Sequence, residues 1–353
     1  MTPVTVRTTD MTDFLLHLLQ IPSPTGYAIE AIMYVEGALR ALDLPDAEIT
    51  ETPKGALRLF WPGERTTAPR GLTAHVDTLG LMVKEIKSNG RLAVTMLGGF
   101  AWGAVEGEGV TIRTADNRRV RGTVLPTNPS VHVNRGIHTQ ARDDDHMEVR
   151  IDARTTSAAD TRALGIEVGD FVFLDPRVEI SEAGFIRSRH LDDKASVACI
   201  WGALDALKGA GLRPAQDTTV LIANYEEVGH GGSTGLPDDL AELVAVDMAA
   251  IGSGQNSDEF SASICIKDAS GPYHWALNDK LRRLAAAHDI PVKADIYPHY
   301  ASDGSAYWRA GGAGRVALVG PGVDASHHYE RTHQDSLSST AALLAHYLLK
   351  DDA

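Results

Sequence analysis

The sequence is short of cysteine, of basic residues and of long apolar runs, and each shortage removes a class of function. Cys199 and Cys265 are the only two cysteines in 353 residues. Both sit in apolar runs, Ser196-Val-Ala-Cys-Ile-Trp201 and Ser263-Ile-Cys-Ile266, so buried free thiols are expected rather than a bridge or metal ligands. Lys and Arg total 33 against 47 Asp and Glu, a formal net charge of −14. Such a chain has no cationic surplus with which to displace counterions from phosphate, which argues against nucleic acid and against anionic membrane surfaces as partners. No stretch approaches the roughly 18 apolar residues of a membrane span. Residues 1–10 lack the apolar centre of a secretory signal, and a cytoplasmic protein is expected.

What is present is an ordinary globular composition, 43% hydrophobic, enough for one large or two moderate domains. Helical apolar spacing over residues 11–19 stops at the breaker-rich Ile21-Pro-Ser-Pro-Thr-Gly26, and a second helix is predicted over 28–42. Strands follow at 55–61 and 71–75, the latter delivering His75 and Asp77 at its end. Between residues 81 and 176 short alternating segments are separated by Gly, Asn and Asp turns, which reads as a small all-β module inserted into an α/β chain. Residues 1–80 and 177–353 then form one discontinuous α/β domain. Arg142-Asp-Asp-Asp-His146 reads as a solvated turn.

Beyond the insert, Asp192 and Asp193 stand just ahead of a strong helical pattern over 195–207. One of them caps that helix, or one is handed to a metal; both readings stand at this point. The apolar run 218–223 leads into Glu226-Glu227 and three glycines among four residues, and adjacent carboxylates repel unless a cation or a catalytic task holds them. The run 242–247 ends in Asp247. Further strands are predicted at 261–267 and near 296, a helix at 278–288, a last strand at 315–319 that runs into a histidine-rich loop, and a closing helix at 338–349.

His75, Glu226 and Glu227, Asp247 and the histidines around His327 thus all fall just past the carboxyl ends of apolar strands, the edge where open α/β sheets build their sites. Asp192 joins them from a helix start. Singly, each has a bland explanation. Together they form an oxygen-rich set with two histidines and no cysteine, which suits Zn, Co or Mn in a hydrolytic role.

Ala74-His-Val-Asp77-Thr-Leu-Gly80, Leu191-Asp-Asp-Lys194, Glu226-Glu-Val-Gly229, Ala245-Val-Asp247 and Ser302-Asp303 resemble, in order and spacing, the motifs of the M42 family of metallo-aminopeptidases. Arg121-Gly-Thr-Val and Ala163-Leu-Gly-Ile-Glu-Val-Gly-Asp170 extend the resemblance through the insert. The segment 322–333 is similar to a subgroup associated with an N-acetylglutaminylglutamine amide osmoprotectant system. The resemblance implies a zinc-peptidase-like α/β fold, a mixed sheet flanked by helices, with the inserted β-rich domain serving oligomerisation or access in dodecameric homo-oligomers.

It also implies two divalent metal ions, zinc first and cobalt or manganese next. His75 and Asp247 would be terminal ligands on different ions, Glu227 and a late histidine the others, and Asp192 the bridge. Glu226 would be the general base, and Asp77 would orient His75. The family's Arg-Tyr-x-His-Ser-Pro context for the late histidine is missing here. Its offset from the closing helix favours His327, then His328, with His333 too close to the helix. Ala301-Ser302-Asp303 replaces the usual Gly-Thr-Asp, and His190 and Lys194 stand where Ala and Arg are common.

The activity implied is release of N-terminal residues from a peptide or small amide through a metal-activated water. The alternatives are a metal-dependent amidohydrolase, deacylase or carboxypeptidase acting on a small dipeptide-like osmolyte, and a non-catalytic metal-binding relative.

Overall fold

The computed structural model describes residues 4–350; residues 1–3 and 351–353, the outer ends of the expected catalytic unit, lie outside the described residues. Three neighbouring parallel strands organise the larger part. Gln216–Ala223 lies beside Arg65–His75 with Ala223 opposite His75, and Glu242–Val246 lies on the other side with Ala245 opposite Thr73. Val220, Leu221, Ile222, Leu72, Leu243 and Val244 are all buried whichever face they point to. That is the signature of a parallel sheet covered on both sides, and it is why these stretches read as continuous apolar runs. Arg315–Asp324 extends the parallel set, and antiparallel neighbours such as Leu57–Trp61 and Ala262–Asp268 complete a mixed 13-stranded sheet.

The helix Leu191–Gly209 is buried along nearly its whole length and packs against the sheet, Thr8–Leu19 and Gln334–Leu349. Leu204, Leu15 and Leu344 share that core; cutting such a leucine to alanine costs about 2–5 kcal/mol. Among the described residues, no helix is long and apolar enough to cross a membrane. Both cysteines are free and buried.

Between Gly80 and Leu174 six antiparallel strands close into a barrel. Its alternation is legible in the sequence. In Gly109–Arg113 the buried positions are Val110 and Ile112, and they meet Leu81, Val94, Val124 and Val172 in a core separate from that of the sheet. The loop Arg142-Asp-Asp-Asp-His146 stays at the surface, with His146 Nδ1 2.6 Å from Asp143 Oδ1.

One expectation is corrected. The strand at 315–319 does not end before Gly320-Pro-Gly322 but runs on to Asp324, and another strand, Glu330–His333, follows it. The glycines serve close approach here rather than a turn, since a Cβ at Gly320 would lie 1.8 Å from the Asp247 carbonyl oxygen and one at Gly322 1.9 Å from that of Asp258. The start of the helix Leu191–Gly209 is kinked, with non-helical backbone angles at Asp192 and Asp193. The Asp192 carboxylate meets His75 and His327, and Asp193 Oδ2 accepts from His75 N. A short helix, Asp303–Arg309, capped by Ser302, was not anticipated.

Candidate metal centre and active site

The carboxyl ends of the three central strands bring the candidate residues to one place. His75 closes its strand and is buried. Its Nδ1 lies 2.9 Å from the backbone carbonyl of Asp77, a group that can only accept, so Nδ1 carries the hydrogen and Nε2 faces the site. Nε2 is 3.3 Å from Asp192 Oδ1, 3.6 Å from Glu226 Oε2 and 3.9 Å from Asp247 Oδ1.

The Asp77 carboxylate does something other than expected. It stands 3.6 Å from His75 Nδ1 and instead accepts from Thr25 Oγ1 at 2.7 Å, from Glu226 N at 3.1 Å and from Glu227 N at 3.4 Å. The ring is oriented by the Asp77 carbonyl, and the carboxylate holds the turn that presents both glutamates. That turn starts at Tyr225, in the left-handed region at φ 74°. The barrel packs against it: a Cβ on Gly98, itself at φ 75°, would lie 2.5 Å from Leu79 Cδ2 and 3.4 Å from Glu227 Oε2.

His327 completes the ring of donors from the turn between Arg315–Asp324 and Glu330–His333. Its Nδ1 is 2.6 Å from the Gly99 carbonyl oxygen, and its Nε2 is 3.3 Å from Asp192 Oδ2 and 3.5 Å from Glu227 Oε2. His328 and His333 are engaged elsewhere. His328 Nδ1 accepts from Tyr329 N at 2.8 Å, while His333 meets the Ala183 carbonyl at 2.7 Å and caps the closing helix.

Donor atoms of His75, Asp192 and Glu227 lie within 4.8 Å of one another, and so do those of His75, Asp193 and Asp247. His75 stands in both sets, while Asp192 faces it through Oδ1 and faces His327 through Oδ2.

Burial and charge set the proton affinities. Burial pushes Asp247 up to about 8, with the charge of Asp192 adding to it. Burial likewise raises Glu226 and Glu227 well above the usual carboxylate range. Asp192 goes the other way: burial opposes it, but hydrogen bonds from His327 and His75 hold it low. Burial would lower His327, yet the Asp192 contact lifts it to about 10. His75 is raised for the same kind of reason, the charge of Glu226 and the Asp192 contact outweighing burial.

Beside the cluster opens a cavity of about 640 Å³ whose walls include Met248, Ile251, Tyr297, Tyr300, Ala306 and Arg309. Residues 55–343 match the M42 glutamyl aminopeptidase family. The chain belongs to that family. A candidate aminopeptidase of Bacillus subtilis (strain 168), YhfE, is 47% identical over 336 residues, covering 95% of this chain and 96% of that protein. Among solved structures, the TET aminopeptidase of a marine sediment Thaumarchaeota archaeon superposes with a TM-score of 0.87 at 15% identity, over 97% of this chain and 98% of that one. The TET1 peptidase of Pyrococcus horikoshii, described as assembling into a tetrahedron or a large octahedral shell, gives 0.83 at 20% identity over 97% and 100%. The sheet with its inserted barrel is therefore the M42 fold, and the chain is a metal-dependent exopeptidase of the aminopeptidase type.

The residues present fit the metal the family implies. Asp193 Oδ1, Glu227 Oε1, Asp247 Oδ1 and Asp303 Oδ2 are buried without a hydrogen-bond partner. Orphaned carboxylate oxygens packed this closely cost several kcal/mol apiece unless a cation meets them, or a proton does. Nitrogen and carboxylate donors without sulfur match a hydrolytic divalent ion.

Sequence reasoning left four groups at the site unassigned. Asp193, open in the sequence between a cap and a metal donor, accepts from His75 N through Oδ2 at 3.3 Å. Asp303 holds Gly232 N, and its carboxyl is raised to about 6, chiefly by burial. Tyr300 faces Asp247 from the cavity wall. Glu330 accepts from Asp192 N and His327 N. Ser302-Asp303 and Leu191-Asp-Asp-Lys194 left a signal as parts of family motifs; Tyr300 and Glu330 are defined by turns that apolar spacing does not describe.

Proposed function

We propose that this chain releases N-terminal residues from peptides with two divalent cations, zinc suiting the donor set first and cobalt or manganese next. One would be held by His75, Asp192 and Asp247, the other by Asp192, Glu227 and His327, with Asp192 shared. Asp193 is a further donor on the first side. Such cations, when bound, supply Lewis acidity to the attacking water and to the scissile carbonyl.

The remaining chemistry belongs to the chain. Glu226 is the general base: it takes a proton from the water and passes it to the leaving amine. The observation that carries this assignment is positional. Glu226 Oε2 stands 3.6 Å from His75 Nε2, inside the cluster, yet neither set of three donors requires it. Its raised proton affinity suits a group that must gain and then give up a proton. Asp77 is a positioning residue, fixing Glu226 through its backbone N–H. The acidic cluster attracts the ammonium end of a peptide, and the adjoining cavity receives the first side chain, so cleavage falls one residue in.

A homo-oligomer is part of this proposal. Ile29 and Met33 on the helix Ile29–Ala41 are 43% and 64% exposed, apolar surface that a partner subunit would cover, and the TET relatives are assemblies.

Glu226→Gln tests the mechanism. Turnover of aminoacyl p-nitroanilides should fall about 10²–10⁴-fold with metal content unchanged; activity surviving in this variant would remove Glu226 from the role. N-acetylated dipeptides offered alongside separate an aminopeptidase, which ignores them, from a deacylase.

A further inference from the structure

We infer that Glu330 is a positioning residue that locks the two sides of the metal centre to each other through their backbones. The inference rests on the metal reading above and adds to it a device outside the donor set.

Glu330 opens the strand Glu330–His333 and is 2% exposed. Each of its carboxylate oxygens has its own task. Oε2 accepts from Asp192 N at 3.1 Å, and Oε1 accepts from His327 N at 3.1 Å. The first contact spans 138 positions of sequence and the second spans 3, so one side chain ties the start of the central helix to the turn that carries the last histidine.

Both backbones need such a tie. His327 sits in the left-handed region at φ 63°, which a residue with a Cβ keeps only when its surroundings hold it there. Asp192 has extended angles (φ −75°, ψ 105°) in the first turn of its helix, where a backbone N–H has no partner in the helical ladder. The two side chains then face each other at 3.3 Å. Other contacts act on the side chains, not the backbones: Ser326 Oγ lies 3.2 Å from Asp192 Oδ2, and Gly99 holds the His327 ring. Glu330 alone among these reaches both main chains.

The pair of oxygens is what matters. Two N–H donors need two acceptor oxygens, which a carboxyl group supplies and an amide does not. In Glu330→Gln one oxygen remains, and the new NH2 group faces a backbone N–H. His327, in its left-handed turn, is released more readily than Asp192 in the buried helix, and the ion between Asp192, Glu227 and His327 loses a fixed donor. The ion on the His75 and Asp247 side keeps its own.

Zinc affinity of the full-length protein, measured for both ions by competition with a chromophoric chelator, tests this directly, with the cobalt absorption spectrum as a second readout. The expected result for Glu330→Gln is a loss of about 10–100-fold for one ion, the other staying within about threefold, and an altered cobalt band. Glu330→Asp keeps both acceptors one methylene short, and its one-sided loss should be smaller; it carries the test if the Gln variant does not fold. Unchanged affinities at both ions, or equal losses at both, overturn the inference. Wild-type protein that takes up no divalent cation overturns the metal reading instead, and this inference falls with it.

Discussion

Loading the centre with metal should expel protons, and the site indicates how many. Asp247 is pushed up to about 8 and His327 to about 10, so the metal-free protein carries a proton on each at pH 7. Ligation requires a carboxylate and a neutral imidazole, so on the order of two protons must leave. Apparent affinity for the pair of ions should therefore climb roughly 100-fold per pH unit near neutrality. Stability of the metal-free protein runs in the opposite sense. Asp247 and His327 both hold protons more tightly folded than unfolded, so their contribution is present in full below the unfolded values, 3.8 and 6.5, and is lost as pH rises through about 8 and about 10. Asp192, held low, contributes in the other direction and loses its share only in strong acid. Calorimetric metal titrations in buffers of different ionisation heat count the protons, and melts of chelator-treated protein across neutral to alkaline pH read the stability. Release of less than one proton at pH 7, or a metal-free melting temperature that climbs with pH, would refute the reasoning.

Two further outcomes follow from the same geometry. Asp77→Asn keeps one acceptor for three donors, so kcat should drop about 10–100-fold through a misplaced Glu226 while both metals stay bound; loss of metal would show that Asp77 acts on His75 after all. His327→Ala should remove one ion, whereas His333→Ala should retain both and cost about 1 kcal/mol of stability through the lost cap, measured by metal analysis and urea unfolding.

The parts of this molecule that were legible in the sequence are those set by periodicity. The runs over 218–223 and 242–246 are apolar throughout because both faces are covered, and they end in Glu226, Glu227 and Asp247 because polar groups can return only where the strands leave the core. The barrel announced itself through alternation such as Gly-Val-Thr-Ile-Arg at 109–113. Less was visible where a turn decides the outcome. Nothing in Asp192-Asp193 tells which way either carboxylate points, and Gly320-Pro-Gly322 has the composition of a turn although close approach to two carbonyls makes it a strand. The pairing of His75 with Asp247 follows from strand order, which composition does not encode. Glu330 was hidden because its partners are main-chain N–H groups of residues singled out for their side chains.

The central claim is that side chains distant in sequence converge on two cations. Anomalous diffraction from zinc-soaked crystals measures this most directly. Two peaks are predicted, one bounded by His75, Asp192 and Asp247 and the other by Asp192, Glu227 and His327. A single peak, or zinc bound instead at a surface group such as the Asp143–His146 turn, would contradict it.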